Sequence, residues 1–160
     1  MYGVLFVCTG NICRSPTAHG VFRELVKQAG LQDKIRVDSA AISAYHTGQA
    51  PDPRAIQTAL AHGIPLYDLR ARPVCAQDFE DFDLMIAMDS SHFRRLNEMR
   101  PKNAQKPVIA RMMSYALEYG TPDVPDPYFD GGFDLVFDMI DAACRNLLDD
   151  VRAQTEKENG

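Results

Sequence analysis

Apolar residues change period several times along the chain, and each change marks an expected element. Residues 4–7, Val-Leu-Phe-Val, form a continuous apolar run, part β-branched and part aromatic, which suits a strand buried on both faces of a parallel sheet. From Pro16 the period lengthens, and Ala18, Val21, Phe22, Leu25, Val26 and Ala29 share one helical face. Ser15 is the expected N-cap of that helix, Pro16 its first residue and Gly30 its stop. Residues 35–40 predict a second strand, and Asp52-Pro53 opens a helix that Gly63 and Pro65 close. A third strand is expected over 82–88. A short helix then follows, capped by Asp89 or Ser90 and burying Phe93, Leu96 and Met99, before a fourth strand near 107–110. The last helix carries Phe133, Val136, Phe137, Ile140, Cys144, Leu147, Leu148 and Val151 on one stripe. Strands alternating with helices predict an α/β fold with a parallel sheet covered on both faces.

Length and composition narrow this picture. A chain of 160 residues fits one domain with a core of its own. That domain is expected over residues 1–153, with a polar tail, 154–160, that frays. The 17 Lys and Arg against 22 Asp and Glu leave a net charge of −5, which argues against nucleic-acid or anionic-membrane partners that need clustered cations. No apolar run approaches the roughly 18 residues of a membrane span, and no basic segment precedes the first apolar run, so a cytoplasmic protein is expected. The four Cys are too sparse for a disulfide scaffold and are expected as free thiols.

The candidate chemistry lies between the first strand and the first helix, in Cys8-Thr9-Gly10-Asn11-Ile12-Cys13-Arg14-Ser15. In a parallel sheet this loop falls beyond a carboxyl strand end, where ligands bind. Loop N–H groups and a helix N-terminus together make a concave anion site. Gly10 and Asn11 tolerate the positive φ that turns the backbone inward, and the Arg14 fork can grip two phosphate oxygens. Cys8 then sits under a bound phosphate in surroundings that favour its thiolate, with Ser15 able to donate to the sulfur. No G-x-x-x-x-G-K-[ST] or G-x-G-x-x-G segment supports nucleotide binding instead. Cleaving a phosphate ester also needs a proton donor. Asp126, stiffened between Pro125 and Pro127, is the first candidate; Asp123 and Asp130 are alternatives, with Asp130 also suited to cap the last helix. No metal or other cofactor is called for.

These residues resemble the low molecular weight protein tyrosine phosphatases. The resemblance runs from the first strand to the last helix, and is most specific at residues 7–16, Asp38-Ser39-Ala40-Ala41, His62-Gly63-Ile64-Pro65, Met88-Asp89 and Asp126-Pro127-Tyr128. It implies a four-stranded parallel sheet and a metal-free reaction on phosphotyrosine proteins. Cys8 would attack the phosphoryl group, Arg14 and the loop residues Thr9, Gly10, Asn11, Ile12, Cys13 and Ser15 would hold it, and Asp126 would serve as acid and then base. Asn11 and Ser39 would brace the loop, Ser15 would help the thiolate leave, and Tyr45, Tyr128 and Phe129 would wall the substrate cleft. Cys13 would act as a redox guard for Cys8, while Cys75 and Cys144 are expected to pack. The protein would act as a monomer or weak dimer.

His19 and Asp68 depart from the family pattern, and the expectation is an ion pair between them, with Asp38 as a possible third member. His46 stands where an acidic residue is common at the cleft rim. Three other activities fit the scaffold less well. An arsenate reductase needs further closely spaced thiols, whereas Cys75 stands alone. A protein-arginine phosphatase carries Thr in place of Ile12. A non-catalytic phosphoprotein-binding module would need neither Cys8 nor Asp126.

Overall fold

A computed structural model describes residues 1–158. Four strands, β1 (Tyr2–Cys8), β2 (Ile35–Ala41), β3 (Leu84–Ala87) and β4 (Val108–Arg111), form one all-parallel sheet in the order β2-β1-β3-β4. Between and after them run α1 (Arg14–Gln28), α2 (Pro53–Ala61), α3 (Asp78–Asp81), α4 (Ser90–Met99), α5 (Pro127–Asp130) and α6 (Phe133–Glu158). The α/β architecture expected from the alternation is therefore the one observed.

The period of two along β1 divides the core. Val4, Phe6 and Cys8 face α1 and α6, where they meet Val21, Phe22, Ile140, Ala143 and Leu147. Leu5 and Val7 face the opposite side, against Phe79, Phe82, Met85 and Leu96. Burying a side chain of this kind contributes about 1.5–3 kcal/mol, so a central strand whose residues 4–7 are all apolar is held from both faces. Phe6 and Phe22 add an edge-to-face contact at 5.6 Å. The chain passes from β1 to β2 on one side and then to β3 on the other. The order reverses at the carboxyl end of β1, where residues 8–15 begin.

Several boundaries differ from expectation for physical reasons. Helix α1 starts at Arg14 with Cys13 at its N-cap, and Ser15 does not cap it because its hydroxyl is bound at Cys8 and Asn11. Gly30 does end that turn, at φ +70°, with Leu31 N–H donating to Val26. Asp130 closes the short α5 and does not cap α6, which begins at Phe133 after two glycines. The tail expected to fray from 154 continues α6 to Glu158. Thr155 is buried, and its hydroxyl donates to the Arg152 carbonyl. Residues 159–160 lie outside the described residues. Cys144 packs in the core as expected, whereas Cys75 is exposed beside α3.

Candidate active site

The loop after β1 closes around the Cys8 sulfur. Its carbonyls are drawn outward: Cys8 accepts from Ile42 N–H, Thr9 from Ser43 N–H and Ile12 from Asp52 N–H, at 2.8–2.9 Å. The N–H groups of Asn11 and Ser15 turn inward and donate to Sγ at 3.3 and 3.4 Å, with the Ser15 hydroxyl at 3.0 Å. Asn11 makes this curvature possible. It sits at φ +57°, its Nδ2 donates to Ser15 Oγ at 2.8 Å, and its Oδ1 accepts from Arg72 N–H at 3.2 Å. Gly10 is not at positive φ; a Cβ there would lie 2.9 Å from the His46 ring and displace it.

Arg14 is only 3% exposed, so its charge must be matched within the protein. Nη1 donates to Asp89 Oδ2 at 3.0 Å and to the Val124 carbonyl at 2.9 Å, while Nη2 stands 3.6 Å from Asp126 Oδ2. Burial alone would raise the Asp89 carboxyl, but donors from Ser91, His92 and Arg14 hold it below its ordinary value. Asp126 is the N-cap of α5, where its Oδ1 accepts from Tyr128 N–H at 3.0 Å. The two alternative carboxylates lie elsewhere. Asp123 is engaged by Ser90 N–H and Oγ, both at 2.8 Å, and Asp130 is exposed at the end of α5.

A cavity of about 220 Å³ opens over the sulfur. Its floor is Cys8, Thr9, Gly10, Ile12, Cys13 and Arg14; its walls are Tyr45, His46, Tyr128 and Phe129, with Asp126 at the edge. The wall rings pack edge to face, Tyr45 on His46 at 4.8 Å and Tyr128 on Phe129 at 4.9 Å. Arg54 braces the acid segment by donating to Asp52 and to the Tyr128 carbonyl, with its guanidinium 5.7 Å from the Tyr128 ring. The geometry thus supplies a sulfur under convergent donors, a guanidinium fork, a carboxylate and a flat apolar slot.

Among the described residues Ser39 makes no hydrogen bond to the loop. Its hydroxyl lies 2.9 Å from Nδ1 of His19, on α1. The expected pair between His19 and Asp68 is absent because Arg23 takes Asp68 with two bonds, at 2.8 and 3.1 Å. His19 is instead buried, which pushes it down to about 4 and leaves it neutral. Burial, reinforced by the Asp52 charge, lifts Cys13 to about 12, so this second loop thiol stays protonated beside Cys8. Among the described residues no group of three or more His, Cys, Asp or Glu side chains is arranged to hold a metal, and no helix is long and apolar enough to cross a membrane. Sequence reasoning missed Arg54 and Arg72. An Arg in a first helical turn or an extended segment carries no local signal of what it will meet.

The family model described as "Low molecular weight phosphotyrosine protein phosphatase" matches residues 3–157. The chain is 41% identical to the low molecular weight protein-tyrosine-phosphatase YfkJ of Bacillus subtilis, over 98% of this chain and 99% of that protein. A protein tyrosine phosphatase from Entamoeba histolytica, solved with Hepes in its active site, superposes with a TM-score of 0.90 at 35% identity, covering 96% of this chain and 99% of that one. A Drosophila arginine phosphatase superposes with a TM-score of 0.87 at 35% identity, covering 92% and 96%.

Proposed function

The chain belongs to the low molecular weight phosphotyrosine protein phosphatase family, and from that premise we propose that Cys8 is its nucleophile, Arg14 its phosphate clamp and Asp126 its general acid and base. The protein is a protein tyrosine phosphatase, and its substrates are phosphoproteins. The residue roles rest above all on one observation: Cys8, Arg14 and Asp126 line the same cavity, with Arg14 Nη2 3.6 Å from Asp126 Oδ2, although Asp126 lies more than a hundred residues further along the chain.

In the first step Cys8 Sγ forms a bond to phosphorus while the bond to the phenolic oxygen breaks, and Asp126 gives its proton to that oxygen. Charge that develops on the equatorial oxygens meets Arg14 and the loop N–H groups, which are already oriented. In the second step Asp126 takes a proton from water, the water oxygen bonds to phosphorus, and the S–P bond breaks. Ser15 Oγ, at 3.0 Å, donates to the departing thiolate. Ile12, Tyr45 and Tyr128 line the slot that would take the tyrosyl ring, which favours a flat aryl ester over phosphoarginine. A Cys8 oxidised by a peroxide would have Cys13 as its disulfide partner. We further infer a cytoplasmic enzyme that works as a monomer or weak dimer, without a metal, nucleic acid or membrane.

The test is phosphate release from an aryl phosphate and a phosphotyrosine peptide, in the presence of a chelator, by wild type, Cys8→Ser and Asp126→Ala. Cys8→Ser is expected to be inactive and Asp126→Ala to lose about 10²–10⁴-fold in kcat. Full activity in Cys8→Ser would overturn the mechanism. Faster turnover of phosphoarginine, or thiol-dependent loss of arsenate, would change the substrate.

A further inference from the structure

The contacts that fix Arg14 continue beyond Asp89. His92, in the first turn of α4, is 3% exposed, with Nε2 2.7 Å from Thr9 Oγ1 and Nδ1 3.2 Å from Asp89 Oδ1. Asp89 holds Arg14 through its other oxygen. Thr9 and Arg14 stand near opposite ends of the phosphate loop, so His92, bonded to Thr9 by its ring and to Asp89 by its own N–H, and the Asp89 carboxylate join the two ends from outside. We propose that His92 is a positioning residue of the phosphatase reaction, tying Thr9 to the Asp89–Arg14 pair so that both ends of the loop keep one register around the bound phosphoryl group. This rests on the assignment of the cavity as the phosphatase site.

The chemistry of the ring fits that task. Burial pushes His92 down to about 4, so at neutral pH it carries one proton. Nδ1 faces the Asp89 carboxylate, which favours the proton there, and Nε2 is left to accept from the Thr9 hydroxyl. The Nδ1 contact at 3.2 Å does not have hydrogen-bond alignment and Nδ1 has no other partner, while Asp89 Oδ1 accepts from Ser91 Oγ at 2.6 Å and from His92's own N–H at 3.0 Å. A buried nitrogen paired this weakly disfavours stability. An apolar side chain would fill the same space without that cost, so packing alone does not account for a histidine. Its well-formed bond is the one to Thr9.

Steady-state kinetics on an aryl phosphate test the assignment with His92→Leu, His92→Gln, Thr9→Val and the double variant His92→Leu/Thr9→Val. His92→Leu and Thr9→Val are each expected to lower kcat about tenfold with KM little changed, since the loss is one of alignment. The double variant is expected to lose no more than either single one, because both break the same contact. His92→Gln, whose amide reaches Thr9, should recover most of the rate. A hundredfold loss in the double variant, an unchanged kcat in Thr9→Val, or a Gln variant no better than Leu would overturn the proposal. Thermal destabilisation with full kcat would do the same. If His92→Leu does not fold, Thr9→Val and His92→Gln still decide. An inactive wild type would strike the phosphatase assignment itself, whereas an active wild type with multiplying variants strikes only the role of His92.

Discussion

Acid should weaken this fold well before its carboxylates protonate, and His19 shows by how much. The ring projects from α1 and is buried against β2, with Nδ1 2.9 Å from Ser39 Oγ. Burial is the largest influence on it and favours the neutral form; Asp38 and Asp68 oppose that, while Arg23 and Arg72 reinforce it, and the outcome is about 4 against an ordinary 6.5. Between those values the unfolded chain binds a proton that the folded one refuses, so stability is complete above 6.5 and falls as pH drops towards 4. The full difference corresponds to about 3 kcal/mol, of which about 2 kcal/mol is already lost at pH 5. His92, lowered to about 4 by burial as well, adds a similar loss in the same window. Urea unfolding at pH 7.5, 6 and 5 measures the slope. His19→Asn keeps a polar atom near Ser39 but does not titrate, and should remove about half of the decline. An identical slope in wild type and His19→Asn would refute the argument.

Three other outcomes follow from particular contacts. In Gly20→Ala the new Cβ would lie 2.3 Å from Leu66 Cδ2, inside a fully buried contact, and this should outweigh the roughly 1 kcal/mol that Ala contributes to a helix, giving a net loss of about 1–2 kcal/mol in a thermal melt. Asn11→Ala removes bonds to Ser15 and Arg72 and leaves Ala at φ +57°, so a loss of about 2–4 kcal/mol with lowered kcat is expected; Asn11→Gly should relieve only the backbone share. Arg23→Ala breaks an ion pair whose side chains are 39% and 51% exposed, and should change stability by less than about 1 kcal/mol with phosphatase activity intact.

Much of the site was legible because its central piece is contiguous. Cys8, Asn11, Arg14 and Ser15 lie within one strand-loop-helix turn, and the residue types there state the backbone curvature and the anion chemistry directly. The errors fell where a side chain had more than one available partner. Ser15 was expected to cap α1, but a hydroxyl beside a sulfur and an Asn amide is better satisfied there than at a helix end. His19 was expected to meet Asp68, but Arg23, one turn further along the same helix, reaches that carboxylate with a bidentate fork. Asp130 looked like a helix cap, and the Gly131-Gly132 turn displaced the start of α6 beyond it.

The sequence by itself determined the layered fold and the tight loop after β1 that carries Cys8, because strand and helix periods, turn residues and loop curvature depend on neighbours a few positions away. Only the tertiary structure decided which of three nearby aspartates lines the cavity beside Arg14, that Asp89 and the Val124 carbonyl anchor Arg14, and that His92 reaches Thr9. Those contacts join segments about 75–110 residues apart, and they arise from how the helices seat on the two faces of the sheet. Packing sets them, and no local pattern in the chain encodes where packing will bring a side chain to rest.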